Sequence, residues 1–180
     1  FGGKGIPEEN AETVQSIWTA RAAELRAGLP EMPKTLPEKI GELLRMPDLS
    51  HPEAAPTDRG FLLTTDPGVQ VPVLRMGTGP QAVIWLGEAD FETESRRSEV
   101  QALARHASVF VVEPRGASMP AEMHILRHAP IVMGRPLVGM WAYDLLCVVD
   151  FLEGQQEFDR VFVAGSGRDM GLACLLASVL

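Results

Sequence analysis

A short glycine-rich segment, GSGRDMG at residues 165–171, holds the residue types best suited to chemistry. The apolar run RVFVA precedes it at residues 160–164, and a helical pattern without charge after Asp169 follows it. A strand, a tight glycine turn and a buried helix are typical of two kinds of site. One is a phosphate-binding turn, in which backbone N–H groups at a helix N-terminus hold an anion. The other is a nucleophile elbow, G-x-S-x-G, in which a strained turn lifts a nucleophile above a sheet.

The order of elements favours the elbow, because a dinucleotide fingerprint belongs to a first strand–helix–strand unit and this turn follows two earlier buried strands. Three registers of the elbow are open. If RVFVA is the strand and Gly165 the first small residue, the nucleophile position falls on Gly167, which has no side chain. If the strand ends one residue sooner, Ser166 is the nucleophile, and Arg168 stands where the turn needs a small side chain. If the turn is two residues longer, Asp169 is the nucleophile within GRDMG.

Histidine is the second requirement of such a site. A serine hydrolase with this elbow uses a histidine and a carboxylate that both follow the nucleophile in the chain. All four histidines precede Gly165: His51, His106, His124 and His128. We therefore expect no complete triad within these 180 residues. A working enzyme would need its histidine and acid from outside this chain.

No metal or cofactor is predicted. His124 and His128 have the i, i+4 spacing that puts two imidazoles on one helix face, as a zinc pair requires, but no third ligand can be named. Cys147 and Cys174 lie in apolar helical patterns and are predicted to be buried thiols.

The elements that would position the turn begin after residue 58. Residues 1–58 carry seven of the 14 prolines and are predicted to be a helical lead-in, with helices at 9–27 and 37–46 and a linker at 47–58. Residues 59–180 begin with a hairpin around Asp66-Pro67-Gly68 and continue with alternating strands and helices. The predicted strands are 82–86, 108–112 and 160–164, and the predicted helices are 95–106, 137–152 and 168–180. This alternation predicts an α/β fold with a mostly parallel sheet wrapped by helices.

Three motifs in this region resemble the α/β-hydrolase superfamily, and within it the bacterial acetyl-xylan-esterase-like proteins. EPRG at 113–116 is similar to the family's D/E-x-R-G turn, and MGRPLVGMWAYD at 133–144 is similar to its G-x-x-L-x-G-M-x-x-x-D helix start. DRVFVAG at 159–165 resembles the D-x-x-R-I strand that delivers the nucleophile. The lead-in is similar to the segment that joins two hydrolase domains in tandem members of the family, which would make residues 59–180 part of a second domain.

The resemblance implies an α/β-hydrolase-like domain that stops after the elbow helix and is preceded by a helical linker. It places Gly87 near an oxyanion-hole loop, where Glu88 and Asp90 would oppose a developing negative charge. It implies ester hydrolysis for the family and makes a bacterial extracytoplasmic location plausible. The degenerate elbow at Gly165, Gly167, Arg168 and Asp169 favours a non-catalytic accessory domain. The alternatives are an esterase that removes acyl groups from carbohydrate with Ser166 as nucleophile, and an anion-binding module.

Charge and hydropathy limit the partners. The net charge of −8 lacks the basic footprint of a nucleic-acid binder or an anionic-membrane binder. No stretch reaches the roughly 18 apolar residues of a membrane span. The helical pattern of Gly171–Leu180 is apolar on all sides, so we expect either the remainder of the same polypeptide or another hydrolase domain to cover it.

Overall fold

The computed structural model describes residues 36–47, 52–116 and 134–180. Contacts divide the chain into two compact units, Phe1–Leu36 and Pro37–Leu180. Apart from Leu36, all described residues belong to the second unit. The helix predicted at 9–27 and the histidines at 51, 124 and 128 lie outside the described residues.

Five helices and six strands make up the described part of the chain. In chain order they are α1 (Leu36–Leu44), β1 (Glu53–Thr57), β2 (Gly60–Asp66), β3 (Val69–Met76), β4 (Gln81–Leu86), α2 (Phe91–Ser95), α3 (Ser98–Leu103), β5 (Ser108–Val112), α4 (Leu137–Gly154), β6 (Arg160–Gly165) and α5 (Gly167–Ala177). The strands form one sheet in the order β1-β2-β3-β5-β4-β6.

Strand direction changes in the middle of this sheet. β1, β2 and β3 pair antiparallel, and β3 also pairs antiparallel with β5. β4 pairs parallel with β5 on one side and with β6 on the other. The described sheet is therefore mixed, whereas the sequence predicted a mostly parallel one. The difference arises because β5 joins the parallel strands to the hairpin in the antiparallel sense, and because β1 was not anticipated.

β1 lies in the segment predicted to be a linker. Its five residues pair with β2, from Glu53 opposite Thr64 to Thr57 opposite Gly60. The sheet therefore begins before the boundary predicted at residue 59. The sequence pattern concealed this strand because Pro56 argues against a central strand, although an edge strand tolerates proline.

The two faces of the sheet are covered by different helices. Alternating residues of the central strands, such as Ile84 and Phe110, pack in one core with α4 and α5. Their neighbours, such as Trp85 and Val111, pack in a second core with Val100 of α3. The period of two along each strand explains this division, since successive side chains point to opposite faces. The prediction that helices wrap both faces is confirmed for the described residues.

Most predicted elements lie within two or three residues of the observed ones. The helix predicted at 95–106 is the exception, because the structure has two short helices, α2 and α3, separated at Arg96 and Arg97. The Asp90 side chain caps α2 by accepting a hydrogen bond from the Thr93 N–H at 2.9 Å. The capping residue lies five residues before the predicted helix start, so the strand-to-helix loop is shorter than expected.

Among the described helices, none combines the length and the apolar character that crossing a membrane requires.

Candidate functional site: the turn between β6 and α5

The turn after β6 bends sharply at Gly167. Ser166 has extended backbone angles, φ −86° and ψ 136°, whereas Gly167 has φ +73° and begins α5. A positive φ of this kind favours glycine, because a side chain there is strained. Gly167 thus occupies the bend at which the chain passes from the carboxyl end of β6 into a helix.

Gly165, the last residue of β6, is held close to the first turn of α5. A Cβ atom at Gly165 would lie 2.5 Å from the carbonyl oxygen of Met170 and 2.8 Å from the Gly171 nitrogen. These distances are shorter than any ordinary contact of a Cβ, so the strand end and the helix pack this closely only with glycine at this position.

Ser166 is buried, with 7% of its surface exposed. Its backbone N–H donates to the carbonyl oxygen of Leu86 at 3.0 Å, which ties the turn to the end of β4. The Ser166 side chain makes no capping hydrogen bond with α5.

Arg168 and Asp169, the other two residues of the predicted elbow, lie on the surface of the first turn of α5. Their side chains are 97% and 56% exposed and form an ion pair at 3.4 Å. A carboxylate in the first turn of a helix interacts favourably with the helix dipole, so this position of Asp169 has a structural explanation.

The Glu88 carboxylate lies directly over Gly167. A Cβ at Gly167 would come within 2.6 Å of the Glu88 Oε2 atom and still closer to Oε1. The space that the side chain of a residue at 167 would enter is therefore filled by Glu88. This arrangement follows from the sheet, because Leu86 of β4 is paired with Gly165 of β6 and the residues after each strand emerge side by side.

Gly87 begins the loop that carries Glu88, and the buried side chain of Glu94 holds this loop in place. A Cβ at Gly87 would lie 2.5 Å from the Glu94 Cδ atom, so glycine is required there. Glu94 is 1% exposed and accepts hydrogen bonds from Trp85 Nε1 at 3.0 Å and from the Ala89 N–H at 3.2 Å. The Ala89 N–H is thus directed to an internal carboxylate.

Asp90 and Glu113 complete the hydrogen bonding of this loop. The Asp90 side chain accepts from Thr93, and these hydrogen bonds hold the pKa of the Asp90 carboxyl below its ordinary value. The Phe91 N–H donates to Glu113 Oε2 at 3.2 Å, across from the end of β5. The acidic residues around the predicted oxyanion-hole loop therefore accept bonds from the first turn of α2.

A second polar cluster joins two of the motifs that carried the resemblance. Arg115 donates from Nε to Asp144 Oδ2 at 2.8 Å, and a second Arg115 nitrogen bonds Asp144 Oδ1. Arg115 also bonds Asp66 at 2.6 Å, and Thr65 Oγ1 donates to Asp144 at 2.7 Å. The Trp141 indole donates to the Arg115 carbonyl oxygen at 2.8 Å. This cluster connects the end of β2, the segment after β5 and the buried side of α4.

His106 is the one histidine among the described residues, and it lies at the opposite end of the parallel strands from the turn. His106 follows α3 and precedes β5, at the amino ends of the parallel strands, whereas Ser166 and Gly167 lie at their carboxyl ends. A cavity of about 530 Å³ also lies at the amino ends, and its walls include Arg59, Arg75, Glu157 and the rings of Phe61, Phe110 and Phe151. A smaller one, of about 300 Å³, lies between the β2–β3 hairpin and Phe91.

Sequence reasoning identified the residues of the turn but missed the position of Glu88 and the Arg115 cluster. Glu88 could have been placed only from the pairing of β4 with β6, which the sequence does not specify. A signal for the Arg115 cluster existed, since EPRG and the aspartate of MGRPLVGMWAYD were both recognised as motif residues.

Comparison with known proteins shows the fold. The chain matches the crystal structure of a putative acetyl xylan esterase from Bacteroides fragilis with a TM-score of 0.62 and 14% sequence identity. The match covers 96% of this chain and 59% of that one, so the chain spans less than two thirds of the length of this structural neighbour. No family model matches the sequence. No curated protein matches it either. The protein therefore has an esterase-like α/β fold, established by structure rather than by sequence.

Proposed function

We propose that this chain is an α/β-hydrolase-like domain of an acetyl-xylan-esterase-like protein, and that it has a structural or accessory role without catalysis. The observation that supports this role is the glycine at the bend between β6 and α5. In the elbow of this fold, the residue that presents the nucleophile occupies a sharp, strained strand-to-helix turn. Here the residue with positive φ is Gly167, which has no side chain to react.

The surroundings of the turn support the same proposal. Acyl transfer requires hydrogen-bond donors aimed at the developing oxyanion. The Glu88 carboxylate lies over the turn instead, and the neighbouring Ala89 N–H donates to Glu94. The first feature puts a negative charge beside the turn and the second occupies a backbone donor, so both oppose the oxyanion stabilisation that ester hydrolysis requires.

An active-site probe tests this proposal. We expect a fluorophosphonate to label the wild-type protein no more than the Ser166→Ala variant, and p-nitrophenyl acetate to be hydrolysed at the rate of buffer. Ser178→Ala, at the far end of α5, is the matched control. Labelling of the wild type and of Ser178→Ala that is lost in Ser166→Ala would establish Ser166 as a nucleophile, and would replace the accessory role with a carbohydrate esterase.

The accessory role includes a contact surface on α5. Leu172 and Leu175 are 45% and 62% exposed, and Phe162 on the edge strand β6 is 43% exposed. The two leucines form the surface on α5, whereas Phe162 lies on the opposite face of the sheet, because it pairs with Val83 of the core that contains α3. Exposed large apolar side chains are typical of an interaction surface. The proposed cover is further hydrolase-like protein, from the same polypeptide or from another hydrolase domain. A bacterial extracytoplasmic location remains a prediction from the resemblance.

A further inference from the structure

We propose that Glu88 is a built-in plug, whose carboxylate occupies the nucleophile position of the β6–α5 turn and keeps other anions out of it. The inference rests on the non-catalytic role proposed above and deepens it, since it names the group that closes the turn. The geometry points to Glu88 because the three heavy atoms nearest to a Cβ at Gly167 all belong to its carboxylate.

The Glu88 carboxylate occupies space that is open only because residue 167 is glycine. Any side chain at Gly167 would collide with the Glu88 carboxylate, within 2.6 Å of Oε2 at its Cβ alone. Glycine therefore gives the carboxylate room to reach the backbone at the start of α5. A negative charge there is favoured, because the first turn of a helix carries unpaired N–H groups and the positive end of the helix dipole.

The backbone that carries Glu88 is fixed from below. Glu94 is buried against Gly87 and accepts hydrogen bonds from Trp85 and from the Ala89 N–H, on either side of Glu88. Asp90 is fixed in turn as the cap of α2. Because the residues before and after Glu88 are both held, its exposed side chain starts from a fixed backbone position and extends toward the turn.

The plug makes the turn unfavourable for anions without any ligand being present. A carboxylate already at the helix N-terminus repels a second negative charge at the same place. The turn would therefore reject a phosphate group or the oxyanion of an acyl-transfer reaction until the Glu88 side chain moves away.

The reactivity of a thiol introduced at position 167 reports whether the Glu88 charge acts on the turn. In the Gly167→Cys variant the introduced Cβ pushes the Glu88 carboxylate aside, but the negative charge stays close to the sulfur and disfavours the thiolate that reacts with iodoacetamide and releases iodide. We expect Glu88→Gln to raise the alkylation rate of the introduced thiol about fivefold or more, as one unit charge at about 4 Å would. The native thiols add little background, because burial raises the pKa of Cys147 and of Cys174 to about 11.

Glu99→Gln in the same Gly167→Cys protein is the matched control, since it removes an exposed carboxylate of α3 and changes the net charge equally. Its rate should stay within about twofold of the Gly167→Cys parent. Equal rates in the Glu88→Gln and Glu99→Gln proteins would overturn the plug.

A stability cycle covers the case in which Gly167→Cys does not fold. Gly167→Ala should lower the melting temperature in both backgrounds, because the positive φ strains the alanine. The loss in a Glu88→Ala background should be smaller than the loss in the wild type by at least about 2 °C, because the alanine then enters vacated space. Equal losses in the two backgrounds would overturn the plug. Neither experiment requires turnover, so esterase activity of the wild type would overturn the proposed function, whereas unchanged thiol rates or additive stability losses would overturn the role of Glu88.

Discussion

At the level of single residues, Asp144 is a charged group held entirely inside the described structure. It is fully buried on α4 and accepts hydrogen bonds from Arg115 and from Thr65. Burial disfavours the charged guanidinium, but the bonds to Asp144 and Asp66 outweigh it and raise the pKa of Arg115. The two charges depend on each other, because Asp144 alone would be fully buried without a counter-charge and Arg115 alone would keep only Asp66 as an acidic partner.

Asp144→Ala should therefore be strongly destabilising. We expect the free energy of unfolding to fall by about 3–5 kcal/mol, since Arg115 would keep a buried positive charge with fewer partners. The measurement is urea unfolding followed by circular dichroism. Glu153→Gln on the exposed end of the same helix should change stability by less than about 0.5 kcal/mol. A loss below about 1 kcal/mol for Asp144→Ala would show that the cluster contributes little.

The buried thiols make a second prediction at this scale. Cys147 and Cys174 should react slowly with Ellman's reagent at about pH 8 in the native protein and rapidly after unfolding. Because burial raises their pKa from 9.0 to about 11, the unfolded chain loses these protons first as the pH rises. Their contribution to stability is complete below pH 9.0 and disappears between 9.0 and about 11.

The thiol contribution can be isolated by substitution. Between about pH 8 and pH 11, the wild type should lose more stability than a Cys174→Ala variant, which lacks one of the two groups. Rapid labelling of both cysteines without denaturant would instead show that the helices carrying them open readily.

Residue types alone located the glycine turn between β6 and α5 but could not decide which of its residues occupies the bend. Gly165, Ser166 and Gly167 were recognised from their spacing, and three registers remained open because they differ only in where the strand ends. The backbone angle of Gly167 distinguishes Gly167 from Ser166 as the bend. The partner of that bend, Glu88, lies 79 positions earlier in the chain, and only strand pairing brings the two together.

At the level of elements, α5 has two contrasting faces. Met170, Ala173, Cys174 and Ala177 are buried against the sheet and α4, whereas Leu172 and Leu175 face outward. The sequence could not separate these faces, because the helix is apolar on both. Which of its apolar residues are buried is decided by contact with the sheet and α4, and the sequence pattern does not show it.

Substitutions on the two faces of α5 should differ accordingly. Leu172→Gln and Leu175→Gln should each change the free energy of unfolding by less than about 0.5 kcal/mol, and should reduce binding of the dye ANS. Met170→Ala, on the inner face, should cost about 2–5 kcal/mol. A cost above about 2 kcal/mol for either outer leucine would mean that the outer face is covered in the isolated protein.

Other elements show which signals in the sequence were sufficient. The hairpin was predicted because Asp66-Pro67-Gly68 specifies a turn, and Gly68 has the positive φ that glycine allows. The helix at 95–106 was placed too late because the amphipathic pattern is clear only after Arg97. Its true start depends on the Asp90 cap, a local hydrogen bond that outweighs the pattern.

At the level of the whole molecule, the compact unit begins at Pro37, well before the boundary at residue 59 that composition suggested. α1 packs on the start of α4, where a Cβ at Gly139 would lie 3.1 Å from the Leu44 side chain. β1 adds a sixth strand to the sheet. Proline content does not indicate this start, because short helices and edge strands both accommodate proline at their ends or edges.

Truncations should separate the two boundaries. A chain of residues 37–180 should unfold cooperatively, whereas a chain of residues 59–180 should be several kcal/mol less stable or aggregate, because it exposes the edge of β2 and uncovers part of α4. Urea unfolding and light scattering would measure both. Equal stability of the two fragments would show that α1 and β1 are dispensable.

The sheet also has unequal rims. On the outer rim formed by β1, Pro56 lacks an N–H and interrupts the row of donors that an incoming chain would need. The opposite rim, β6, carries a run of uncharged residues after Arg160 and has no such interruption. A chain that extends this sheet, in a native assembly or in an aggregate, is therefore expected to pair with β6 rather than with β1.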